Sequence, residues 1–341
     1  MSAVEEYPVN PVRADLGAIA PICTPYIVYF EPTQFCNLRC YFCSNKEIAM
    51  DLKTSMLNNI FVKFISDLSD FEDNIRVLSI NGNGEPMAHN LLPHFISMAK
   101  KSNKIDKIRL ITNGTLLTSE LNSELISAGT DMIWISVEAM SSEKYKQIAD
   151  VEIDFKKFVD NIRDLYEKRD RCKIYIKIVN VGLENELDRA LFFHTFENIC
   201  DNIMVENITN IYGGFKSISD KTKILNRFSN QEVEYFDLCD YLFKGISLNA
   251  DGTCSPCPVD WKHDLVLGDI TKNSLFEIWN SEHLKQLRLQ FLEGNIKNIP
   301  TCKDCYLYLN AQSSIADIKS LCAHRSEVKK RVTFQGAILC H

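Results

Sequence analysis

Short apolar runs alternate with longer segments of helical periodicity over the first two thirds of the chain. Six runs have the length and residue types of buried strands, at positions 27–31, 76–80, 107–112, 132–137, 173–179 and 203–208. Between them apolar residues recur every three or four positions, as at Phe155, Phe158 and Ile162. This alternation predicts an α/β fold with a parallel sheet and a functional site at the carboxyl ends of its strands. Six units are too few for a closed eight-stranded barrel, so we expect a partial (β/α)6 TIM-like barrel.

The pattern changes after residues 212–214. A polar stretch follows, and then a strand-like run at 245–249 and a cysteine-rich segment. The sequence therefore predicts five parts: an N-terminal extension (1–25), the barrel (26–215), a linker (216–235), a small cysteine-rich module (236–310), and a C-terminal helix with a tail (311–341).

Composition and charge narrow the range of partners and cellular compartments expected for this chain. Lys and Arg number 38 against 45 Asp and Glu, which gives a net charge of −7. Such a chain is a poor match for nucleic acid or an anionic membrane as partner. It contains neither a long apolar span nor a signal-peptide pattern, so we expect a cytoplasmic protein. Thirteen cysteines are many for that reducing compartment, where clustered cysteines more often bind metal than form disulfides.

Three of these cysteines follow the first predicted strand with the spacing Cys36-x3-Cys40-x2-Cys43. Three thiolates leave one coordination position of a metal centre open. Zinc with three protein ligands and a water is one interpretation, but catalytic zinc usually recruits histidine and none lies nearby. A [4Fe–4S] cluster held by three thiolates fits better, because its fourth iron stays free to bind another molecule.

This motif resembles the signature of the radical S-adenosylmethionine (SAM) enzymes, in which an aromatic residue, here Phe42, precedes the third cysteine. The resemblance implies that the open iron binds the amino and carboxylate groups of SAM. It also implies cleavage of SAM to a 5′-deoxyadenosyl radical, which abstracts a substrate hydrogen. A low-potential flavodoxin or ferredoxin would supply the electron.

Further features of this family follow in the expected order. Asn83-Gly84-Glu85-Pro86 comes after the second strand, where the family has Gly-Gly-Glu-Pro. By this resemblance Glu85 would accept a hydrogen bond from the methionine ammonium, while the glycine would let the backbone approach closely. Asn113 and Ser136 close the third and fourth strands and would lie near the ribose or carboxylate. The predicted cofactor-binding residues are Phe42, Asn83, Gly84, Glu85, Asn113 and Ser136.

The C-terminal cysteines form a second pattern, with Cys239 before Gly252-x4-Cys257 and then Cys302-x2-Cys305. It resembles the SPASM and twitch modules, which hold auxiliary iron–sulfur clusters, and the layout is most similar to that of 2-deoxy-scyllo-inosamine dehydrogenase. The resemblance implies one auxiliary [4Fe–4S] cluster, with the ligands Cys239, Cys257, Cys302 and Cys305.

Three alternatives to this ligand set stay open. Cys254 could replace Cys239 as a ligand. Cys322 and Cys340 could hold part of a second auxiliary cluster. Finally, Cys254-x2-Cys257 and Cys302-x2-Cys305 also match the two half-sites of a zinc ribbon, which would make the chain a zinc-binding structural protein.

An auxiliary cluster with all four positions filled can accept an electron but offers no position to a substrate. We therefore expect oxidation of a small polar metabolite, such as a sugar, an aminocyclitol or a nucleotide-sugar alcohol. The alternative enzyme function is that of a maturase that modifies a peptide or protein side chain. An oxidation also needs a general base, for which the candidates are Asp260, His263, Glu138 and Lys177.

Overall fold

The computed structural model describes residues 15–208, 236–303, 305 and 312–334. The predicted linker (216–235), most of the N-terminal extension and the end of the C-terminal tail lie outside the described residues. Helices and strands below are numbered in chain order.

Six parallel strands form the main part of the sheet, in the spatial order β6-β5-β4-β3-β2-β1. Their bounds are β1 Ile27–Phe30, β2 Ile75–Ile80, β3 Ile105–Thr112, β4 Met132–Val137, β5 Lys173–Val179 and β6 Asn202–Glu206. Each strand pairs in parallel with the next one in the chain. This is the predicted partial barrel, because parallel neighbours need a crossover connection and a helix lies in each one.

The helices are α1 Leu16–Ile19, α2 Asn58–Asp67, α3 Leu92–Lys101, α4 Ser119–Ser127, α5 Ser142–Ala149, α6 Phe155–Lys168, α7 Glu186–Phe196, α8 Tyr241–Lys244, α9 Leu275–Trp279, α10 Glu282–Leu292, α11 Gln312–Ala323 and α12 Arg325–Phe334. The apolar stripe of α6 is buried as its periodicity predicts, and Asp154 caps the helix by accepting a hydrogen bond from the Lys157 N–H. The C-terminal helix expected from the sequence is in fact two helices, with a turn at His324 between them.

The C-terminal module continues the same sheet. Strand β7 (Gly245–Leu248) pairs in parallel with β1, and β8 (Thr253–Ser255) and β9 (Gly268–Asp269) extend the sheet antiparallel. Gly245 permits this pairing, since a Cβ at that position would lie 2.7 Å from the Ile27 side chain. The module is therefore fixed beside the strand that leads into the three-cysteine motif.

One face of this sheet is polar near the carboxyl ends of β1, β2 and β7. Tyr29 of β1 lies in register with Ser79 of β2 and with Ser247 of β7, and Ser79 lies in register with Arg109 of β3. The Arg109 guanidinium donates to the Ser79 hydroxyl from Nε at 3.1 Å and from Nη2 at 2.9 Å. Because side chains alternate along a strand, the apolar residues between these positions form the other, buried face. No helix among the described residues is long and apolar enough to cross a membrane.

Candidate active site with two cysteine sites and a shared pocket

The first cysteine site is the loop that follows β1. Cys40 is buried, and Cys36 and Cys43 are half-buried. The loop lies against the end of α5, where the N–H groups of Arg39 and Tyr41 donate to backbone carbonyls at 2.8 and 3.0 Å. These bonds hold the three thiols on a fixed stretch of backbone at the carboxyl end of a barrel strand, as the sequence predicted.

Burial favours the protonated form of these three thiols when no metal is bound. It raises the pKa of Cys36 to about 11 and raises the pKa of Cys40 and Cys43 as well. Backbone N–H groups partly offset this, since Leu38 donates to the Cys36 sulfur at 3.4 Å. Thiols in such surroundings need a strong cation to become thiolates, and bound iron supplies that charge. The site thus fits a cluster.

The Asn83-Gly84-Glu85-Pro86 turn packs directly on this loop. A Cβ on Gly84 would lie 2.2 Å from the Thr33 carbonyl oxygen and 2.6 Å from that of Phe35. The Glu85 N–H donates to the same Phe35 oxygen at 2.9 Å. Only glycine allows the two backbones to approach this closely, and the turn is thereby positioned beside the three cysteines.

The Glu85 carboxylate joins the ends of β2 and β3. It is buried and accepts hydrogen bonds from the Thr112 hydroxyl at 2.6 Å, the Asn113 N–H at 2.8 Å and the Met87 N–H at 3.0 Å. Burial raises the pKa of this carboxyl group. A carboxylate has about four acceptor positions, so Glu85 retains roughly one for a ligand such as the methionine ammonium.

Asn113 contacts the three-cysteine loop. Its side-chain amide donates to the side-chain Oδ1 of Asn37 at 3.0 Å and lies 4.0 Å from the Cys36 sulfur. Ser136 is half-buried on β4 in register with Lys177. Phe42 packs edge-on against Tyr41, with ring centroids 5.3 Å apart, and is half-buried beside Cys43.

A buried charged group lies at the ends of β4, β5 and β6. The Lys177 ammonium forms an ion pair with Glu206 at 3.0 Å, and Glu138 lies nearby. Burial raises the pKa of Glu138 to about 7, although Lys177 opposes the shift. Within the described part of the chain, the Glu138 Oε2 atom is buried with no hydrogen-bond partner. Sequence reasoning missed Glu206, which stands at the end of a strand predicted to reach residue 208.

The second cysteine site is a small cavity in the C-terminal module. Four sulfur-bearing residues line it together with mainly apolar side chains: Cys239, Cys257, Cys302 and Cys305. The alternative ligand Cys254 lies outside this lining, fully buried in β8.

Among residues 15–208, 236–303, 305 and 312–334, no three His, Cys, Asp or Glu side chains are grouped closely enough to hold a single metal ion.

A pocket lined mainly by polar residues lies where the barrel and the C-terminal module meet. The barrel contributes Tyr29, Glu31, Asn81, Gly82 and Asn83, and the C-terminal module contributes Ser247, Asn249, Cys257, Pro258, Asp260 and His263. Asn83, the residue that departs from the family motif, links the two parts by donating from its amide to the Trp261 carbonyl at 3.1 Å. Glu31 was not predicted to line a site, although a charged residue at the end of an apolar strand is a signal that could have found it.

Asp260 borders this pocket from a tight turn. Its two carboxylate oxygens accept hydrogen bonds from the N–H groups of Asp264 at 3.0 Å and Leu265 at 2.8 Å. Burial raises the pKa of the carboxyl group. Both oxygens therefore stabilise the turn, and any contact with a ligand would use their remaining acceptor positions.

Comparison with known proteins agrees with this geometry. The model of the radical SAM superfamily matches residues 30–194, and that of the SPASM iron–sulfur cluster-binding domain matches residues 239–306. A tungsten-containing aldehyde ferredoxin oxidoreductase cofactor-modifying protein from Pyrococcus furiosus is 24% identical over 82% of this chain and 87% of its own length. A probable GTP 3′,8-cyclase from Methanococcus aeolicus is 32% identical over 66% of this chain and 82% of its own.

A solved structure shares the fold. The crystal structure of BtrN in complex with AdoMet and 2-DOIA covers 83% of this chain and 93% of that chain, with a TM-score of 0.54 and 17% identity. The two family models and the Methanococcus aeolicus relative confirm the predicted resemblance: the chain belongs to the radical SAM superfamily, carries a SPASM domain, and has as its cofactors SAM, a [4Fe–4S] cluster and an auxiliary iron–sulfur centre.

Proposed function

We propose that this radical SAM enzyme is an oxidoreductase that oxidises a small polar metabolite, such as a sugar, an aminocyclitol or a nucleotide-sugar alcohol. The observation that supports this is the pocket lined mainly by polar residues of both the barrel and the C-terminal module, among them Asn83 and Cys257. A substrate held there would be near the SAM site on one side and Cys257 on the other. Hydrogen abstraction and electron removal could then occur without movement of the substrate.

In this proposal the residues around the first site hold and orient the cofactors. Cys36, Cys40 and Cys43 bind the cluster. Phe42, Asn83, Gly84, Glu85, Asn113 and Ser136 surround the bound SAM, with Glu85 offering its free acceptor position to the ammonium. When bound, these cofactors supply a 5′-deoxyadenosyl radical that removes a hydrogen atom from the substrate.

The C-terminal module would complete the oxidation. We propose that Cys239, Cys257, Cys302 and Cys305 hold one auxiliary [4Fe–4S] cluster, which takes up the electron left on the substrate. The other walls of that cavity are mainly apolar, which would limit contact between a redox centre and water. In this proposal the barrel (26–215) generates the radical and the module (236–310) accepts the electron. A flavodoxin or ferredoxin is the proposed electron donor.

A base must take up the substrate proton. Of the residues proposed from the sequence, Asp260 borders the pocket but uses both oxygens in its turn. Glu138 lies beside the first site with a pKa raised to about 7, which suits a general base, and Lys177 is engaged with Glu206. These differences make Glu138 the stronger candidate if the substrate reaches the ends of β4 and β5.

Anaerobic reconstitution with iron and sulfide tests the proposal. We expect about eight irons per chain, which corresponds to two [4Fe–4S] clusters. Reductant and SAM should release 5′-deoxyadenosine, and a substrate among sugars and aminocyclitols should yield a ketone in proportion. Bound zinc without iron would contradict the whole assignment. If the enzyme converts GTP or a peptide but none of the metabolites tried, the proposed oxidation of a small metabolite is wrong, while the radical chemistry still holds.

A further inference from the structure

The pocket shared by the barrel and the C-terminal module has two acidic residues in its lining, Glu31 and Asp260. We propose that the substrate carries a protonated amine and that the Glu31 carboxylate binds this amine. The inference rests on the proposed function and refines it, since it favours amino sugars and aminocyclitols over neutral sugars and over nucleotide sugars with their anionic phosphates.

The two oxygens of Glu31 differ in their hydrogen bonding. The residue is only 5% exposed. Its Oε2 accepts a short hydrogen bond of 2.6 Å from the Asn83 N–H. Oε1 accepts a longer hydrogen bond of 3.4 Å from the Ala250 N–H and lies 3.7 Å from Nε2 of His263. A carboxylate has about four acceptor positions, so Glu31 keeps positions that an ammonium group in the pocket would fill with a shorter, charge-assisted hydrogen bond.

The charged groups around Glu31 also favour a cation. Asp260 borders the same pocket, and Asp251 adds negative potential from the turn after β7. Asp251 accepts from Thr253 and Asp260 accepts from backbone N–H groups, so neither is neutralised by a lysine or arginine in these contacts. Among the described residues that line the pocket, His263 is the one basic side chain, and its Nε2 lies 3.7 Å from Glu31 Oε1. Burial also raises the pKa of the Glu31 carboxyl group, a cost that a bound ammonium would reduce.

A second, independent feature indicates a ligand with hydroxyl groups. Ser247 is 4% exposed and lines the pocket, yet its hydroxyl has no hydrogen-bond partner in the portion of the chain that the structure covers. A buried unpaired hydroxyl costs free energy unless a ligand or water satisfies it. The amide side chains of Asn81 and Asn249 lie in the same lining. An amine beside several hydroxyl groups, as in an amino sugar or aminocyclitol, matches this set of groups.

Equilibrium binding to the reconstituted, unreduced enzyme with SAM tests the inference. The probes are glucosamine and 2-DOIA, each paired with its N-acetyl form, in which the amine is neutral. Calorimetry should show that at least one free amine binds about tenfold tighter than its acetylated form. The loss of one charge-assisted hydrogen bond on acetylation explains a difference of this size. In Glu31→Gln this preference should disappear. In the control Asp264→Asn, which removes an exposed carboxylate on the loop that carries Asp260 and His263, it should persist.

Each other outcome contradicts the inference. Equal binding of both forms, or binding of neither amine, rejects the protonated amine, and a preference that survives in Glu31→Gln rejects Glu31 as its partner. If Glu31→Gln fails to load iron, Glu31→Asp retains the charge but shortens the side chain, and it should weaken the preference without removing it. Because no reductant is present, failure here is separate from failure of the proposed oxidation, which iron content and 5′-deoxyadenosine release report.

Discussion

The two cysteine sites differ in their number of thiols and also in the polarity of the residues around those thiols. The three thiols after β1 lie among polar groups that have acceptor positions to spare, such as Glu85 and Glu138. The four thiols of the C-terminal module line a cavity whose other walls are mainly apolar. A centre that must bind SAM needs polar groups around an open position, whereas a centre that only transfers electrons needs a dry enclosure. The residues around the thiols therefore support the same roles as the thiol counts: SAM binding at the first site and electron transfer at the second.

Removing the thiols of the first site should have the largest effect. The triple variant Cys36→Ala, Cys40→Ala and Cys43→Ala should release no 5′-deoxyadenosine, because no cluster remains to reduce SAM. Iron should fall by about four per chain and the remainder should stay in the C-terminal module. Liquid chromatography and iron assay measure both quantities. Cleavage of SAM that persists in this variant would contradict the assignment.

Removing two thiols of the second site should separate the two roles. In Cys302→Ala with Cys305→Ala we expect about four irons fewer but continued release of 5′-deoxyadenosine, since the first site is intact. Formation of the oxidised product should stop, because the substrate radical has lost its electron acceptor. The ratio of product to 5′-deoxyadenosine reports this directly. A ratio unchanged from that of the parent enzyme would show that the auxiliary centre is not the acceptor.

The sequence predicted the barrel well because apolar periodicity is a local signal. All six strands occur within about two residues of their predicted ends, and the four C-terminal thiols lie around one cavity. The pairing of β7 with β1 could not be predicted, since a strand pattern indicates which face is buried but not which strand is its neighbour. The pocket with Glu31 and His263 depends on that pairing, and it was therefore missed as well.

The contact between the Gly84 turn and the three-cysteine loop should be sensitive to one added methyl group. Gly84→Ala would place a Cβ against two backbone carbonyls that cannot rotate away, so we expect a loss of about 1–3 kcal/mol in stability. Release of 5′-deoxyadenosine should also fall, because the loop and the Glu85 turn shift apart. Gly268→Ala is the matched control, since its Cβ would meet only the Ile278 side chain at 2.8 Å, which can move. Equal losses of activity in the two variants would argue against a special role for Gly84.

The smallest effect is expected at Cys254, which tests where the second site ends. Cys254 is fully buried in β8 and lies outside the cavity lining, whereas Cys239 lies within it. Cys254→Ala should keep all the iron and cost about 1 kcal/mol of stability, as for a buried small hydrophobic residue. Cys239→Ala should instead lose auxiliary iron and change the electron paramagnetic resonance signal of that centre. If Cys254→Ala loses the iron and Cys239→Ala retains it, the ligand set is Cys254, Cys257, Cys302 and Cys305. The surroundings of the second site would then have to be described around Cys254 in place of Cys239 before the two sites are compared.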